Sequence, residues 1–254
     1  MGVDPAFAAL RERRERGHRE ATAAAFVLGD EALVRTGLDA LDAALGGGFP
    51  RGTVATLEGP PSSGRSTLAA RLLAAATRRG LGALIGVDLF PPALAAAGVR
   101  LERLLIVPAC EPVAAARAAD IIVRSGAFTV VILPTLPSGR GTGAAMWSRL
   151  ASLTHRANVL LVAAGDEASN ELCYVASVRL ATALERVRWN GPAGHLSEFA
   201  GFDVRAVVRK HKRAAPVGDA LVRCEPFEER PPLVDVRERT LTAAAAPERR
   251  ALTS

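Results

Sequence analysis

The sequence predicts an α/β fold with a mostly parallel twisted sheet, flanking helices and antiparallel strands at one edge. Between residues 30 and 165, apolar strand-like runs alternate with helical patterns, which is typical of parallel β-α-β units. The strand runs, such as residues 128–133, are almost continuously apolar, as expected for strands with a helix layer on each side. From Tyr174 onward, shorter strand patterns surround an Asn190-Gly191 turn, which predicts an antiparallel addition at the sheet edge.

The individual elements follow from caps and periodicity. Asp4 and Pro5 predict the start of an N-terminal helix that ends near Gly17, and Thr36 is positioned to cap a helix over residues 37–46. The further predicted strands are 25–28, 54–57, 82–87, 104–107, 128–133 and 159–163, and the further helices are 66–79, 92–97, 113–123 and 144–156. The resulting organisation is an N-terminal helix and linker (1–29), a core domain (30–227) and a flexible C-terminal tail (228–254).

The composition narrows the possible function classes. The chain has 254 residues, 49% of them hydrophobic, and a net charge of +6, which is compatible with a nucleic acid or an acidic partner. Three widely spaced cysteines without a CxxC pair argue against a disulfide framework or a zinc ribbon, and four scattered histidines predict no metal site. No run approaches the length of a membrane-spanning helix. These features predict a cytoplasmic protein.

A phosphate-binding loop is the strongest local motif. Residues 59–67, GPPSSGRST, lie between a predicted strand and a predicted helix and have the spacing of a P-loop, whose backbone N–H groups cradle a phosphate. The candidate nucleotide contacts are Gly59, Ser62, Ser63, Gly64, Arg65, Ser66 and Thr67. Ser66 is the hydroxyl that would reach Mg²⁺ if Mg-ATP binds. Arg65 replaces the usual lysine, and its planar fork is a poor substitute for a compact ammonium, so hydrolysis is expected to suffer.

The order of motifs along residues 30–225 resembles the bacterial RecA core. The matching blocks are TGLDALDAALG at 36–46, the loop at 59–67, SGA at 125–127, ASVRL at 176–180 and KHKRAAP at 210–216. In RecA-like ATPases an aspartate ends the strand after the SGA block, and here Pro134 stands there. The resemblance makes Asp88 the nearest candidate for the glutamate that orients the attacking water, and Ala93 replaces the adenine-stacking tyrosine. It therefore implies no catalytic residue other than the weakly matched Asp88, and no bound cofactor unless ATP with Mg²⁺ is retained.

The two segments that correspond to the DNA-binding loops of RecA are short. They are residues 137–143 and 165–173, and the second carries Asp166, Glu167 and Glu171, which would repel phosphates. The comparison predicts weak direct DNA binding and no homologous pairing.

A basic segment, in contrast, favours contact with an anion or a partner protein. Between residues 203 and 213, five positive side chains outnumber Asp203, and Lys210 and Lys212 are the only lysines of the chain. By the resemblance they match RecA lysines that reach across a protomer interface, which makes Arg209, Lys210, Lys212 and Arg213 candidate contacts to a RecA-type partner or an anion. A solvated basic edge strand explains the same residues equally well.

Taken together, a RecA core with an altered nucleotide site and short DNA loops resembles the ImuA group, RecA-like accessory proteins of bacterial error-prone translesion synthesis. The resemblance implies a non-hydrolysing adaptor in DNA-damage tolerance and SOS mutagenesis, located in the cytoplasm at the nucleoid. The implied partners are RecA, a Y-family polymerase-like protein with a DnaE-type polymerase, and further copies of the chain itself. Two alternatives stay open: a DNA-dependent ATPase that uses Arg65 and Asp88, and a DNA-binding module that uses residues 203–213.

Overall fold

The computed structural model describes residues 32–86, 90–136, 139–191, 198–213 and 218–225. The predicted N-terminal helix, the predicted strand over 25–28, Asp88 and the tail 228–254 lie outside these ranges. Of the candidate site residues, all except Asp88 therefore lie within the described ranges.

A mostly parallel sheet forms the centre of this core, as predicted. Its eight strands among the described residues are β3 (Val54–Glu58), β4 (Leu81–Gly86), β5 (Leu104–Pro108), β6 (Phe128–Pro134), β7 (Leu160–Gly165), β8 (Val178–Asn190), β9 (Glu198–His211) and β10 (Asp219–Cys224). Within the described ranges they lie in the order β10-β9-β8-β3-β7-β6-β4-β5, parallel from β8 to β5 and antiparallel from β8 to β10. Two short strands, β1 (Leu33–Val34) and β2 (Phe49–Pro50), form a separate antiparallel pair.

Helices cover both faces of the parallel strands. They are α1 (Asp39–Ala44), α2 (Arg65–Arg79), α3 (Pro91–Ala96), α4 (Pro112–Ser125), α5 (Ala144–Ala157) and α6 (Asn170–Val175), with a 3₁₀ turn at Leu101–Arg103. The apolar faces of α1 and α2 share one buried cluster with β8–β10, and α4 and α5 share a second cluster with β6 and β7. Parallel strands between two helix layers have no solvent-facing side, which explains their continuous apolar runs.

The segment before β8 departs from the prediction. Residues 170–175 form helix α6, whose cap is the Ser169 hydroxyl accepting from the Leu172 N–H. Its first four residues lie in the predicted loop 165–173, and its last two lie where the pattern from Tyr174 onward predicted strand. Strand β8 is also parallel to β3 over Val178–Ala181 and antiparallel only to β9. A polar cap residue three positions ahead of Leu172 overrides the apolar residues that favour a strand.

Strands β8 and β9 continue beyond the sheet as a hairpin. Only residues 178–181 of β8 pair with β3, whereas pairing with β9 continues to Asn190. The Trp189 and Phe199 rings pack edge to face at 5.8 Å near its end. Side chains of the hairpin, Leu184, Val187, Phe199 and Phe202, line a cleft together with the loop that follows β3.

Candidate functional site

The predicted P-loop connects β3 to α2, as the spacing of its glycines requires. Gly59 follows the last residue of β3, and its N–H donates to the Gly165 carbonyl at 3.1 Å. The Ser63 N–H donates to the Pro60 carbonyl at 3.1 Å and closes the turn. Gly64 has φ of +86° and immediately precedes α2. The first N–H groups of α2 have no partner within the helix, so this end can accept an anion.

Packing against the antiparallel strands makes two loop glycines necessary. A Cβ on Gly59 would overlap the Thr182 hydroxyl and lie 2.6 Å from the Ser63 Oγ. A Cβ on Gly64 would overlap a methyl group of Val204 on β9. The Ser63 and Thr182 hydroxyls share a buried hydrogen bond of 2.8 Å, and Thr182 also donates to the Glu58 carbonyl. The loop is thereby fixed to β8 and β9.

Arg65, in the place of the P-loop lysine, is bound within the protein. Its Nη1 donates to the Gly59 carbonyl and to the Asp166 carboxylate, which follows β7. The Arg65 side chain is only 22% exposed, whereas Asp166 is 66% exposed. Sequence reasoning assigned Asp166 a repulsive role toward DNA and missed this ion pair. The Nη1 group is thus already bound to two acceptors within the protein, and a phosphate at the loop would compete with Asp166 for the guanidinium.

The strand that carries the metal carboxylate in the resembling ATPases ends differently in this chain. Pro134 is the last residue of β6 and is in register with Ala164 of β7. The next residue, Thr135, donates its N–H to the Ala164 carbonyl. The strand therefore ends in an apolar ring and carries no carboxylate at this position. No group of three or more potential metal ligands occurs among the described residues.

A partly buried ion pair lies directly beneath the loop. Arg179 donates to both carboxylate oxygens of Glu58, at 2.9 and 2.8 Å, and the two side chains are 26% and 12% exposed. Burial works to raise the pKa of Glu58, but hydrogen bonds from Arg179 and Thr56 outweigh it and hold that pKa below its ordinary value. Glu58 is therefore a structural anion that anchors the end of β3.

This lowered pKa predicts acid sensitivity. Because the folded state holds Glu58 charged more strongly than the unfolded state does, its contribution is complete above the ordinary glutamate pKa and is lost as the pH falls through the folded-state value. The urea midpoint of the wild type is expected to fall between about pH 5 and pH 3, and that of the Glu58→Gln variant to fall less. Parallel pH dependence in both proteins would contradict the assignment.

Two clefts border the P-loop. The first, of about 620 Å³, has the loop residues Arg65, Ser66 and Thr67 at one end, and its other lining side chains are mostly alanine, leucine, isoleucine and proline. Ala93 lines it, at the position where the resemblance expects a base-stacking tyrosine. The second, of about 480 Å³, lies between the loop and the β8–β9 hairpin.

The two lysines of the basic segment have contacts within the chain. Lys210 Nζ donates to the Cys173 and Tyr174 carbonyls at 2.7 and 3.1 Å, and Lys212 Nζ donates to the Val175 carbonyl at 3.1 Å. These carbonyls end helix α6, where positive charge is favourable. Arg209 is exposed on β9, and Arg213 follows that strand. An ammonium group has three donors, so both lysines retain donors for a partner.

Comparison with known protein sequences shows that this chain is similar to RecA proteins. Residues 25–138 match the model of the RecA N-terminal domain family. RecA of Methylococcus capsulatus is 30% identical over 232 residues, which cover 74% of this chain and 65% of that protein. RecA of Rubrobacter xylanophilus is 42% identical over 109 residues, covering 41% of this chain and 32% of that protein. The matched part thus spans about a third of the Rubrobacter protein.

A solved structure shows the same architecture. The RadB recombinase structure superposes with a TM-score of 0.59 and 18% sequence identity, covering 75% of this chain and 96% of that one. The chain is a RecA-fold protein. Within the described residues of this RecA-fold protein, no helix is both long and apolar enough to span a bilayer.

Proposed function

We propose that this RecA-fold protein is a non-hydrolysing accessory protein of bacterial DNA-damage tolerance that acts through protein contacts. The observation that supports the proposal is the position of Arg65, whose guanidinium is bound to the Gly59 carbonyl and Asp166. In nucleotide hydrolysis the residue at this place must contact the β- and γ-phosphates. An arginine held by an exposed carboxylate loses an ion pair when it turns toward a phosphate.

The metal side of the loop supports the same proposal. A RecA-type relationship points toward an ATPase family, which uses Mg²⁺ with ATP, and the described residues do not fit that pair. Ser66 supplies a hydroxyl at the start of α2, but Pro134 ends β6 without a carboxylate. Among the described residues that line the adjoining cleft, Arg65 is the one cation, so the side chains there offer little positive charge to a triphosphate. We therefore derive no catalytic step from this site.

The proposed partners follow from the resemblance to the ImuA group and from the relatives named RecA. They are RecA itself, a Y-family polymerase-like protein with a DnaE-type polymerase, and a second copy of the chain, in error-prone translesion synthesis at the nucleoid. The candidate contact residues are Arg209, Lys210, Lys212 and Arg213. A protomer that binds a RecA filament end through one interface, but cannot complete the ATP site of the next protomer, would limit filament growth.

Filament growth tests this proposal. When the protein is added to RecA, ATP and single-stranded DNA, the growth rate measured by fluorescence of labelled RecA is expected to fall as the protein approaches stoichiometric amounts. The double variant Lys210→Gln/Lys212→Gln should reverse most of the effect, because it removes both ammonium charges. Arg78→Gln, in the last turn of α2, removes an exposed charge elsewhere and serves as the control. Unchanged growth at stoichiometric excess would contradict filament limitation.

A DNA-dependent ATPase is the second candidate function. The observation in its favour is the complete glycine loop, with Ser66 and Thr67 in the first turn of α2. It requires Mg²⁺-dependent turnover that is lost in the Arg65→Ala variant. The assay that separates it from the accessory function is given at the end of the Discussion.

A further inference from the structure

Strand β10 is an edge of the large sheet. Within the part of the chain that the structure describes, it pairs with β9 alone and ends the order of the eight strands. Its six residues pair with β9 without a register shift, whereas the pairing of β8 with β9 contains three shifts. The strand holds neither proline nor lysine, two residues with which proteins commonly block a sheet edge. Its backbone N–H and C=O groups on the side away from β9 can therefore pair with a further strand.

The side chains of β10 alternate between the core and the solvent. Every second residue from Ala220 to Cys224 is buried, whereas Asp219, Leu221 and Arg223 are exposed. Leu221 is 54% exposed although its side chain is entirely apolar. The exposed face of the edge strand thus carries a negative, an apolar and a positive side chain, in that order.

This pattern is complementary to itself when a second strand runs in the opposite direction. In an antiparallel pair of β10 strands centred on Leu221, the two Leu221 side chains lie opposite each other, and Asp219 of each copy lies opposite Arg223 of the other. A shift of two positions would place Leu221 opposite a charged residue, and parallel pairing in register would place like charges together. One antiparallel register therefore satisfies both the charges and the apolar side chain.

Both charged residues of β10 retain capacity for this contact. Asp219 is 49% exposed and accepts one hydrogen bond at Oδ2, from Arg205 at 2.6 Å, so its carboxylate has room for a second cation. Arg223 is 65% exposed and lies 3.9 Å from the Asp203 carboxylate, which Arg186 already binds at 2.7 Å. The Arg223 guanidinium is thus available to the Asp219 carboxylate of another copy.

We propose that two copies of the protein associate through β10, in an antiparallel two-fold pairing that is centred on Leu221 and joins their sheets. A second copy is the occupant because the exposed pattern pairs with itself, as a two-fold axis requires. The contact lies at the other end of the described sheet from β5 and does not use the candidate contact residues between 209 and 213. The proposal therefore goes beyond the accessory function, and it does not depend on whether the P-loop site hydrolyses ATP.

Sedimentation velocity of the full chain tests the proposal. The wild type is expected to change from monomer to dimer within the micromolar range, because a pairing of six residues is smaller than a standard protein interface. The Leu221→Lys variant should weaken the dimer at least about tenfold, since the two ammonium groups would lie opposite each other on the two-fold axis. Leu105→Lys, at an exposed position on the edge strand β5, places the same charge elsewhere and should leave the dimer unchanged.

Charge reversal tests the register. The Asp219→Arg and Arg223→Asp variants each carry charges of one sign on the exposed face of β10, so each alone should dimerise at least about tenfold more weakly than the wild type. Mixed in equal amounts, they should form a heterodimer at least as tightly as the wild type dimerises, because a positive strand then lies opposite a negative one. Circular dichroism establishes that each variant is folded before mixing.

Three results would overturn the proposal: a wild type that stays monomeric throughout the micromolar range, a dimer that Leu221→Lys leaves unchanged, or reversed variants that fail to associate on mixing. Filament growth with RecA reports separately on the accessory function, so the two failures are distinguishable.

Discussion

The Glu58→Gln variant is expected to lose roughly 3 kcal/mol of unfolding free energy, because it leaves the Arg179 guanidinium without its anion in a partly buried site. This is the lower end of the range for buried pairs, since Arg179 is 26% exposed. Urea denaturation at pH 7 measures the loss. The Glu58→Gln/Arg179→Met double variant should recover part of it, because no uncompensated charge then remains beneath the loop.

The chain offers a matched control in Glu185, which makes a two-point ion pair with Arg205 at 2.8 and 2.9 Å on an exposed part of the hairpin. The Glu185→Gln variant should change the urea midpoint far less than Glu58→Gln, because solvent screens an exposed pair. Equal losses in the two variants would show that the Glu58 pair has no special anchoring role.

Restoring lysine at the loop is expected not to restore ATP turnover. The Arg65→Lys variant regains a compact ammonium, but β6 still ends at Pro134 without a carboxylate for Mg²⁺. Electrostatic groups of this kind each contribute roughly 10²- to 10³-fold to a rate, so one restored group leaves a large deficit. A phosphate-release assay with Mg-ATP and single-stranded DNA should show background rates for Arg65→Lys and for Pro134→Asp.

The Arg65→Lys variant also separates nucleotide binding from ATP hydrolysis. Arg65→Lys also removes the guanidinium from its contacts with Gly59 and Asp166, so it frees the loop for a phosphate. We therefore expect nucleotide affinity to rise in Arg65→Lys while turnover stays at background. Substantial turnover by this single variant would show that the metal side of the site is intact after all.

Much of the fold could be predicted because local and tertiary preferences agree in the parallel core. The predicted strand over 128–133 and helix over 66–79 match β6 and α2 to within one residue at each end. Their buried apolar patterns and their Gly or Pro stops point to the same boundaries. The P-loop was found for the same reason, since its spacing coincides with a strand-to-helix junction.

The contacts of the site were less predictable, because they join residues that are distant in sequence. Arg65 and Asp166 are 101 residues apart, and Glu58 and Arg179 are 121 apart. The β8–β9 hairpin contains register shifts that sequence alternation alone does not reveal. The sequence does indicate part of this hairpin, because apolar residues lie on either side of the Asn190-Gly191 turn.

The most direct measurement is titration of the wild-type protein with Mg-ATP by calorimetry, together with phosphate release in the presence and absence of single-stranded DNA. A non-hydrolysing accessory protein should show no Mg²⁺-dependent turnover under either condition, and weak heat of binding or none, because Arg65 is bound to Asp166 and β6 ends in Pro134. Tight binding with DNA-stimulated turnover that disappears in Arg65→Ala would contradict this and establish the protein as an active RecA-type ATPase.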